Sequence, residues 1–267
     1  VQPGETLLSE NLKIYCGGKG LNQSIALSRS GADTWHAGAV GMQDGGILTD
    51  YLMKSGVHTE LILKKKSPSG HAIIQKIPEG ENSIIVSGGA NQMISEEDVD
   101  FILSHFKEND YLLLQNEINQ LSYIMERAHE IGMTIVLNPS PVNSGISDLP
   151  FSYADYLILN EIEGAAVTGK DAADDNTMLN VLVKLFPNAH IVLTLGKKGS
   201  VYGYRDRRYR QKIYPTEVVD TTAAGDTFTG FFLGSIIKGQ NIREAMDLAS
   251  RAAAIAVSRN GASVSIP

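Results

Sequence analysis

Asp220 and Asp226 bracket the small residues Thr221, Thr222, Ala223, Ala224 and Gly225. Here an extended segment, Glu217-Val218-Val219, gives way to the helical spacing of Phe231, Phe232, Leu233, Ile236 and Ile237. This pattern predicts a helix N-terminus, where amide N–H groups lack intrahelical partners and the macrodipole adds partial positive charge, so that an anion is attracted. Alanine and glycine at 223–225 would let a phosphate approach the amides closely. Asp226 would then lie beside the anion, a place that suits a carboxylate which handles a proton. A plainer alternative stays open, with Asp220 or Thr221 as a simple N-cap and small residues present for packing.

Four further groups follow directly on expected strands. Gln115-Asn116-Glu117 follows Leu112 to Leu114, Asn138-Pro139 follows Ile135 to Leu137, Asn160-Glu161-Ile162-Glu163 follows Tyr156 to Leu159, and Gly196-Lys197-Lys198-Gly199 follows Ile191 to Leu195. Each alone fits a cap or a turn. Together at one sheet edge they are what a site built from several loops requires.

The elements that must position these groups alternate. Residues 1–16 are expected as short extended pieces leading into Gly17-Gly18-Lys19-Gly20-Leu21-Asn22, then a helix over Gln23 to Arg29, a strand over Thr34 to Val40 and a helix over Ile47 to Lys54. Gly70 to Ile77 and Asn82 to Val86, joined through Pro78-Glu79-Gly80-Glu81, predict a β-hairpin, an insertion of roughly 68–88 that could cover a site as a lid with part of 1–16. Ser95-Glu96-Glu97-Asp98 opens a helix with Val99, Ile102, Leu103 and Phe106 on one face. Strands over Tyr111 to Leu114, Thr134 to Leu137, Tyr156 to Leu159 and Ile191 to Leu195 alternate with helices over Leu121 to Ile131 and Leu179 to Phe186. A hairpin over Ser200 to Ile213 and helices over Gly225 to Ile237 and Ile242 to Ser258 complete the pattern. The expected fold is α/β, a mostly parallel central sheet with helices on both faces plus a small β lid, in a single domain over 1–267. Ligands in such folds bind beyond the carboxyl ends of the strands.

At 267 residues and 43% hydrophobic content the chain can bury a large core. Its formal charge of -7 argues against nucleic acid or an acidic membrane surface as partner. The lone Cys16 excludes an internal disulfide and suits a reducing compartment, and no apolar run nears the roughly 20 residues that span a bilayer, so a cytoplasmic location is expected. His36, His58, His71, His105, His129 and His190 form no metal-spaced pair, and Trp35 is expected in the core. A dinucleotide fingerprint fails because Gln23 stands where Gly18-Lys19-Gly20 would need a glycine, and Gly196-Lys197 lacks the rest of a Walker A loop.

As a whole string, Asp-Thr-Thr-Ala-Ala-Gly-Asp-Thr-Phe at 220–228 resembles the C-terminal signature of the ribokinase-like (PfkB) carbohydrate kinases, and the likeness extends over nearly the whole chain. The resemblance implies ATP-dependent phosphorylation of a sugar's primary hydroxyl, with Asp226 as catalytic base and Ala223, Ala224 and Gly225 as anion hole. It implies that Gly18, Lys19, Asn22 and Glu117 hold the sugar. Asn160 and Glu163 would organise Mg²⁺, partly through water, and the ATP phosphates, and Thr194, Gly196, Gly199 and Gly225 would belong to the nucleotide site. A monovalent cation, K⁺, would lie among Asp220, Thr222, Ala256, Arg259, Gly261 and Ser265. Family members dimerise through the lid, so a homodimer is expected.

Departures from the family pattern lie at both ends and in one loop. The family has a strand before the segment that begins at Val1, with an aspartate for two sugar hydroxyls, and a final helix after Pro267; neither is in this sequence. Gln43 also replaces an aspartate in Val40-Gly41-Met42-Gln43-Asp44-Gly45-Gly46, read as a changed loop contact. Gly80-Glu81-Asn82 and Ser87-Gly88-Gly89-Ala90-Asn91 favour ribose as the sugar, with deoxyribose, fructose or adenosine as alternatives, and a non-catalytic sugar- or nucleotide-binding module as the rival class.

Overall fold

In the computed structural model, which describes residues 4–6, 8, 9, 11–76, 82–169 and 174–267, the strands are sorted into faces by their own alternation. In β6 (Thr134–Asn138), β7 (Tyr156–Asn160) and β8 (His190–Thr194), Ile135, Leu137, Leu157, Leu159, Ile191 and Leu193 enter one buried cluster, while Val136, Ile158 and Val192 enter another. Because both faces are apolar, both must be covered. The first is covered by α3 (Glu96–Leu103), α4 (Leu121–Ile131) and α6 (Asp175–Leu185), the second by α1 (Lys19–Arg29), α7 (Ala224–Ile237) and α8 (Ile242–Val257).

The main sheet has six strands in the order β10-β9-β8-β7-β6-β5, with β5 at Tyr111–Gln115. Strands β5 to β8 are parallel, while β9 (Ser200–Tyr204) and β10 (Arg207–Gln211) form the expected hairpin and run antiparallel at one edge. The C-terminal ends of β5 to β8 therefore share one edge, where Glu117, Asn138, Asn160 and Gly196 follow. Two smaller sheets stand apart. β1 (Gly38–Gly41) pairs in parallel with β2 (Ile62–Lys65) ahead of and behind α2 (Gly46–Lys54), and β3 (His71–Lys76) pairs antiparallel with β4 (Asn82–Ser87). That last pair is the predicted hairpin; its turn, Pro78 to Glu81, and Ile77 lie outside the described residues. Ile73, Ile74, Ile84, Ile85 and Val86 on it are each more than half exposed.

Several expectations needed correction. No described residue of 4–16 is in a strand, so the lid contains no described β-structure from that stretch, and Leu7 lies outside the described residues. The segment 217–219 is irregular, with Val218 and Val219 about half exposed, because its N–H groups are used at the end of α8 and not in a sheet: those of Val219 and Asp220 both donate to the Val257 carbonyl. Trp35 is 41% exposed and stacks on His58 with ring centroids 4.5 Å apart, since residues 34–36 contribute one bridge and no strand. α3 stops at Leu103, though Phe106 still packs against the core. The Ser95 capping box is formed, closed by Asp98. In the altered loop Asp44, next to Gln43, accepts from the Ser69 N–H at 3.0 Å and from Ser69 Oγ at 2.8 Å. No helix among the described residues is long and apolar enough to cross a membrane.

Candidate active site

Helices α1 and α7 pack side by side in a matching register of four. A Cβ on Gly234 would lie 1.9 Å from Ser30 Oγ, and one on Gly230 would lie 2.4 Å from Ala26 Cβ. No side chain larger than hydrogen fits at these two positions, so the helices come close. One turn further towards the N-termini, the same faces bring Asp226 against Asn22 and Gln23. Asn22 Nδ2 donates to Asp226 Oδ2 at 2.8 Å, and Gln23 Nε2 donates to Asp226 Oδ1 at 2.9 Å. Asp226 is 8% exposed. Burial pushes its carboxyl above the usual range, opposed by the nearby Lys19 charge and by the two amide bonds.

The N-terminus of α7 is left open, which removes the plain-cap alternative. Its N-cap is Ala223, left-handed at φ +60° and without a side-chain cap. Asp220 turns elsewhere and accepts from the Thr222 N–H at 2.9 Å and the Thr222 hydroxyl at 2.6 Å. The Ala224 N–H donates to the Thr221 carbonyl, whereas those of Gly225 and Asp226 have no partner among the described residues. They are the free donors that an anion site needs.

The glycine-rich stretch differs from its expectation in a useful way. The helix begins at Lys19 and not at Gln23, with Gly18 as N-cap at φ +103°. Lys19 and Asn22 therefore belong to the first turn of α1, whose N-terminus meets the loop after β5. There the Lys19 N–H donates to Glu117 Oε2 at 2.8 Å. Burial, the largest influence, raises the Glu117 carboxyl, with Asp226 adding to it and the Lys19 N–H and charge opposing. Asn22 Oδ1 is buried with no hydrogen-bond partner, an acceptor left unsatisfied.

On the β7 and β8 side the contacts are local. Asn160 caps α5 (Glu161–Thr168) by accepting from the Glu163 N–H at 2.8 Å. Glu163 answers with both oxygens, Oε2 taking the Asn160 N–H at 2.9 Å and Oε1 the Asn160 side-chain amide at 3.0 Å. Glu163 is 4% exposed. Its charge thus stabilises the cap, and its unused lone pairs are free for water. Thr194 Oγ1 donates to the Leu159 carbonyl at 3.2 Å. Gly196 and Gly199 have φ of +53° and +91°, and a Cβ on Gly199 would meet the Gln211 carbonyl at 2.1 Å, so the turn between them depends on glycine. Lys198 in that turn pairs with Glu161 at 3.0 Å and Asp175 at 3.2 Å.

Of the six residues expected at a monovalent cation, Asp220 is bonded to Thr222 and Gly261, while Ala256, Arg259 and Ser265 are bonded locally at and beyond the end of α8. Gly261 N–H donates to Asp220 Oδ2 at 3.2 Å, and Arg259 N–H to the Ala256 carbonyl at 3.1 Å. Asp220 and Thr222 are bonded as above, while Ser265 Oγ donates to the Ala262 carbonyl at 2.7 Å. The oxygens among them, the Asp220 carboxylate, the Thr222 and Ser265 hydroxyls and the Ala256 carbonyl, are of the type that suits a hard cation, whereas Gly261 and Arg259 present N–H groups in these bonds. No cluster of three or more His, Cys, Asp or Glu among the described residues forms a direct metal site.

In the sequence Gln23 stands out only as the start of the expected helix and as a residue that is not glycine. Yet Gln23 is 1% exposed and contacts the central carboxylate. The available signal was its place beside Asn22 on the helix that the glycines introduce.

The ends of β5 and β6 thus meet the first turns of α1 and α7 around the buried Asp226 carboxylate, while the contacts at the ends of β7 and β8 are among themselves and their own helices. The pfkB family carbohydrate kinase pattern matches residues 1–267, and the chain belongs to that family. It is 34% identical to a ribokinase of Staphylococcus aureus (strain COL), an alignment that covers 100% of this chain and 90% of that one. The crystal structure of ribokinase from Thermotoga maritima superposes with a TM-score of 0.87 at 30% identity, covering 100% of this chain and 89% of that one. Arabidopsis thaliana ribokinase complexed with ribose and ATP gives a TM-score of 0.89 at 28% identity, with 99% and 88% covered.

Proposed function

We propose that this chain is an ATP-dependent sugar kinase that phosphorylates the primary 5-hydroxyl of D-ribose, giving ribose 5-phosphate and ADP. The observation that carries this reading is the buried Asp226 carboxylate beside the free Gly225 and Asp226 amides. A sugar hydroxyl placed against Asp226 loses its proton to that carboxylate as its oxygen attacks the γ-phosphorus, and the bond from the γ-phosphorus to the bridging oxygen breaks. The open end of α7, from Ala223 to Asp226, steadies the charge on the transferring group. Gly18, Lys19, Asn22 and Glu117 hold the sugar, and the bond from the Lys19 N–H to Glu117, which joins the first turn of α1 to the loop after β5, supports this.

Thr194, Gly196 and Gly199, with Asn160 and Gly225, would hold ATP. Glu163, whose oxygens already serve the α5 cap, would hold Mg²⁺ through water. When bound, Mg²⁺ supplies charge neutralisation at the phosphates, and K⁺ held among Asp220, Thr222, Ala256, Arg259, Gly261 and Ser265 adds positive charge beside α7. The β3–β4 hairpin acts as a lid, and its exposed isoleucines pair two copies into a homodimer. The whole chain works as one kinase domain in the cytoplasm.

The test is ATP consumption with Mg²⁺ and K⁺ on ribose, deoxyribose, fructose and adenosine. Turnover on ribose that depends on Asp226 is expected. ATP binding without turnover on any acceptor would overturn the reading in favour of a binding module.

A further inference from the structure

Gln23 has no part in the reaction as described, yet its side chain makes three hydrogen bonds in a buried place. Nε2 donates to Asp226 Oδ1 at 2.9 Å and to Asn138 Oδ1 at 3.0 Å, and Oε1 accepts from Gln115 Nε2 at 2.8 Å. Asn138 Nδ2 in turn donates to the Ile158 main-chain carbonyl at 2.8 Å. The direction of this chain is set from its far end. A carbonyl only accepts, so Asn138 must turn its NH₂ to Ile158 and its oxygen to Gln23. Gln23 must then present its NH₂ to Asn138, and the second N–H of that same group is the one that reaches Asp226. Its oxygen is left facing Gln115, whose NH₂ matches it. Turning any one amide over would set oxygen against oxygen in a buried site.

Asn22, on the other carboxylate oxygen, has no such lock. Its Nδ2 donates to Asp226 Oδ2, but its Oδ1 is buried without a partner, so no further hydrogen bond fixes which way that amide faces. The two oxygens of Asp226 are thereby made unequal.

We propose that Gln23, locked by Asn138 and Gln115, is a positioning residue that holds Asp226 Oδ1 as a permanent acceptor and leaves Oδ2 to receive the substrate proton. This rests on Asp226 being the base. A donor to the ionised carboxylate favours that form and so offsets burial. The charged groups that bear on Asp226 from neighbouring elements are Lys19, in the first turn of α1, and Glu117, after β5. Neither is removed by a change at Gln23.

Gln23→Met keeps the side-chain length and removes both donors. In the full chain with ATP and ribose, the acid limb of the kcat profile is expected to move up by about one pH unit, the size expected for one bond to a charged group, with the sugar KM changed less than about threefold. Gln115→Met, a partly buried change that spares the direct bond, should move the limb the same way by less. A carboxyl NMR titration of Asp226 in the same variants should show the same upward shift. A folded Gln23→Met protein with an unmoved Asp226 titration overturns the proposal, as does a loss confined to KM. Should Gln23→Met fail to fold, an unmoved titration in Gln115→Met would overturn it. If Asp226→Asn keeps its turnover, the base reading falls separately, while the NMR titration still judges what Gln23 does to the carboxylate.

Discussion

Asp226 is held by Asn22 and Gln23, which precede it by 204 and 203 positions, whereas Asn160 and Glu163 hold each other across three. The proposed acceptor side is thus made by two helices that must first find one another. The proposed nucleotide side is made by a strand end and its own next turn. The difference has a chemical sense. A buried carboxylate needs donors from several elements to stay ionised, because one helix turn cannot surround it. A loop that takes phosphates needs only backbone shape, and a capping box or a glycine turn supplies that locally.

The largest effect should separate activity from stability on the acceptor side. Asp226→Asn is expected to lower kcat by about 10² to 10⁴, the range for loss of a general base, with the fold retained. Burial raises the folded-state pKa of Asp226, so the native protein binds a proton more readily than the unfolded chain does. The cost to stability therefore grows as pH rises above the ordinary carboxylate value and is fully present above the raised one. The Asn variant should accordingly unfold at an equal or higher temperature at neutral pH, measured by thermal denaturation. A lower Tm with full activity would break the comparison.

Glu117→Ala should raise the sugar KM about 10- to 100-fold, the worth of a hydrogen bond to a charged group, with the ATP KM nearly unchanged. An equal rise in both constants would mean that the two sides are coupled. Gly230→Ala should lower stability by about 1–3 kcal/mol, since its Cβ would press on Ala26 and part α1 from α7. Its kcat should fall more than its ATP KM rises, because Asp226 and Asn22 share that helix contact. Asn160→Ala should cost about 1 kcal/mol through the lost cap and raise the ATP KM while leaving the sugar KM alone. Lys198→Ala is expected to have the smallest effect, with no measurable change in Tm, because its partners Glu161 and Asp175 are met at an exposed turn.

How far the chain can be understood without its structure follows the same division. The β7 end, the Asn160 to Glu163 cap, the Gly196 to Gly199 turn and the open start of α7 are all short-range patterns, and each was legible from a few neighbouring residues. Short continuous apolar runs such as Ile135-Val136-Leu137 and Leu157-Ile158-Leu159 marked the buried strands, because both sheet faces had to be covered. Misreadings arose where local pattern and distant packing disagreed. Val218 and Val219 have the composition of a strand, but Val219 finds the end of α8 as its partner. Trp35 has the composition of core but lies on His58 at the surface.

By itself, then, the sequence determined the alternating α/β order, the edge at which the polar loops collect and the chemical types available there. Local propensity and periodicity act over a few residues and leave a direct trace in the string. Only the tertiary structure decided that Gly230 and Gly234 would draw α1 against α7, that Gln23 would reach Asp226, and that Asn138 would fix the direction of its amide. Contacts of this kind depend on which helix faces meet and at what register, and glycine, glutamine and asparagine carry no periodic mark that announces them.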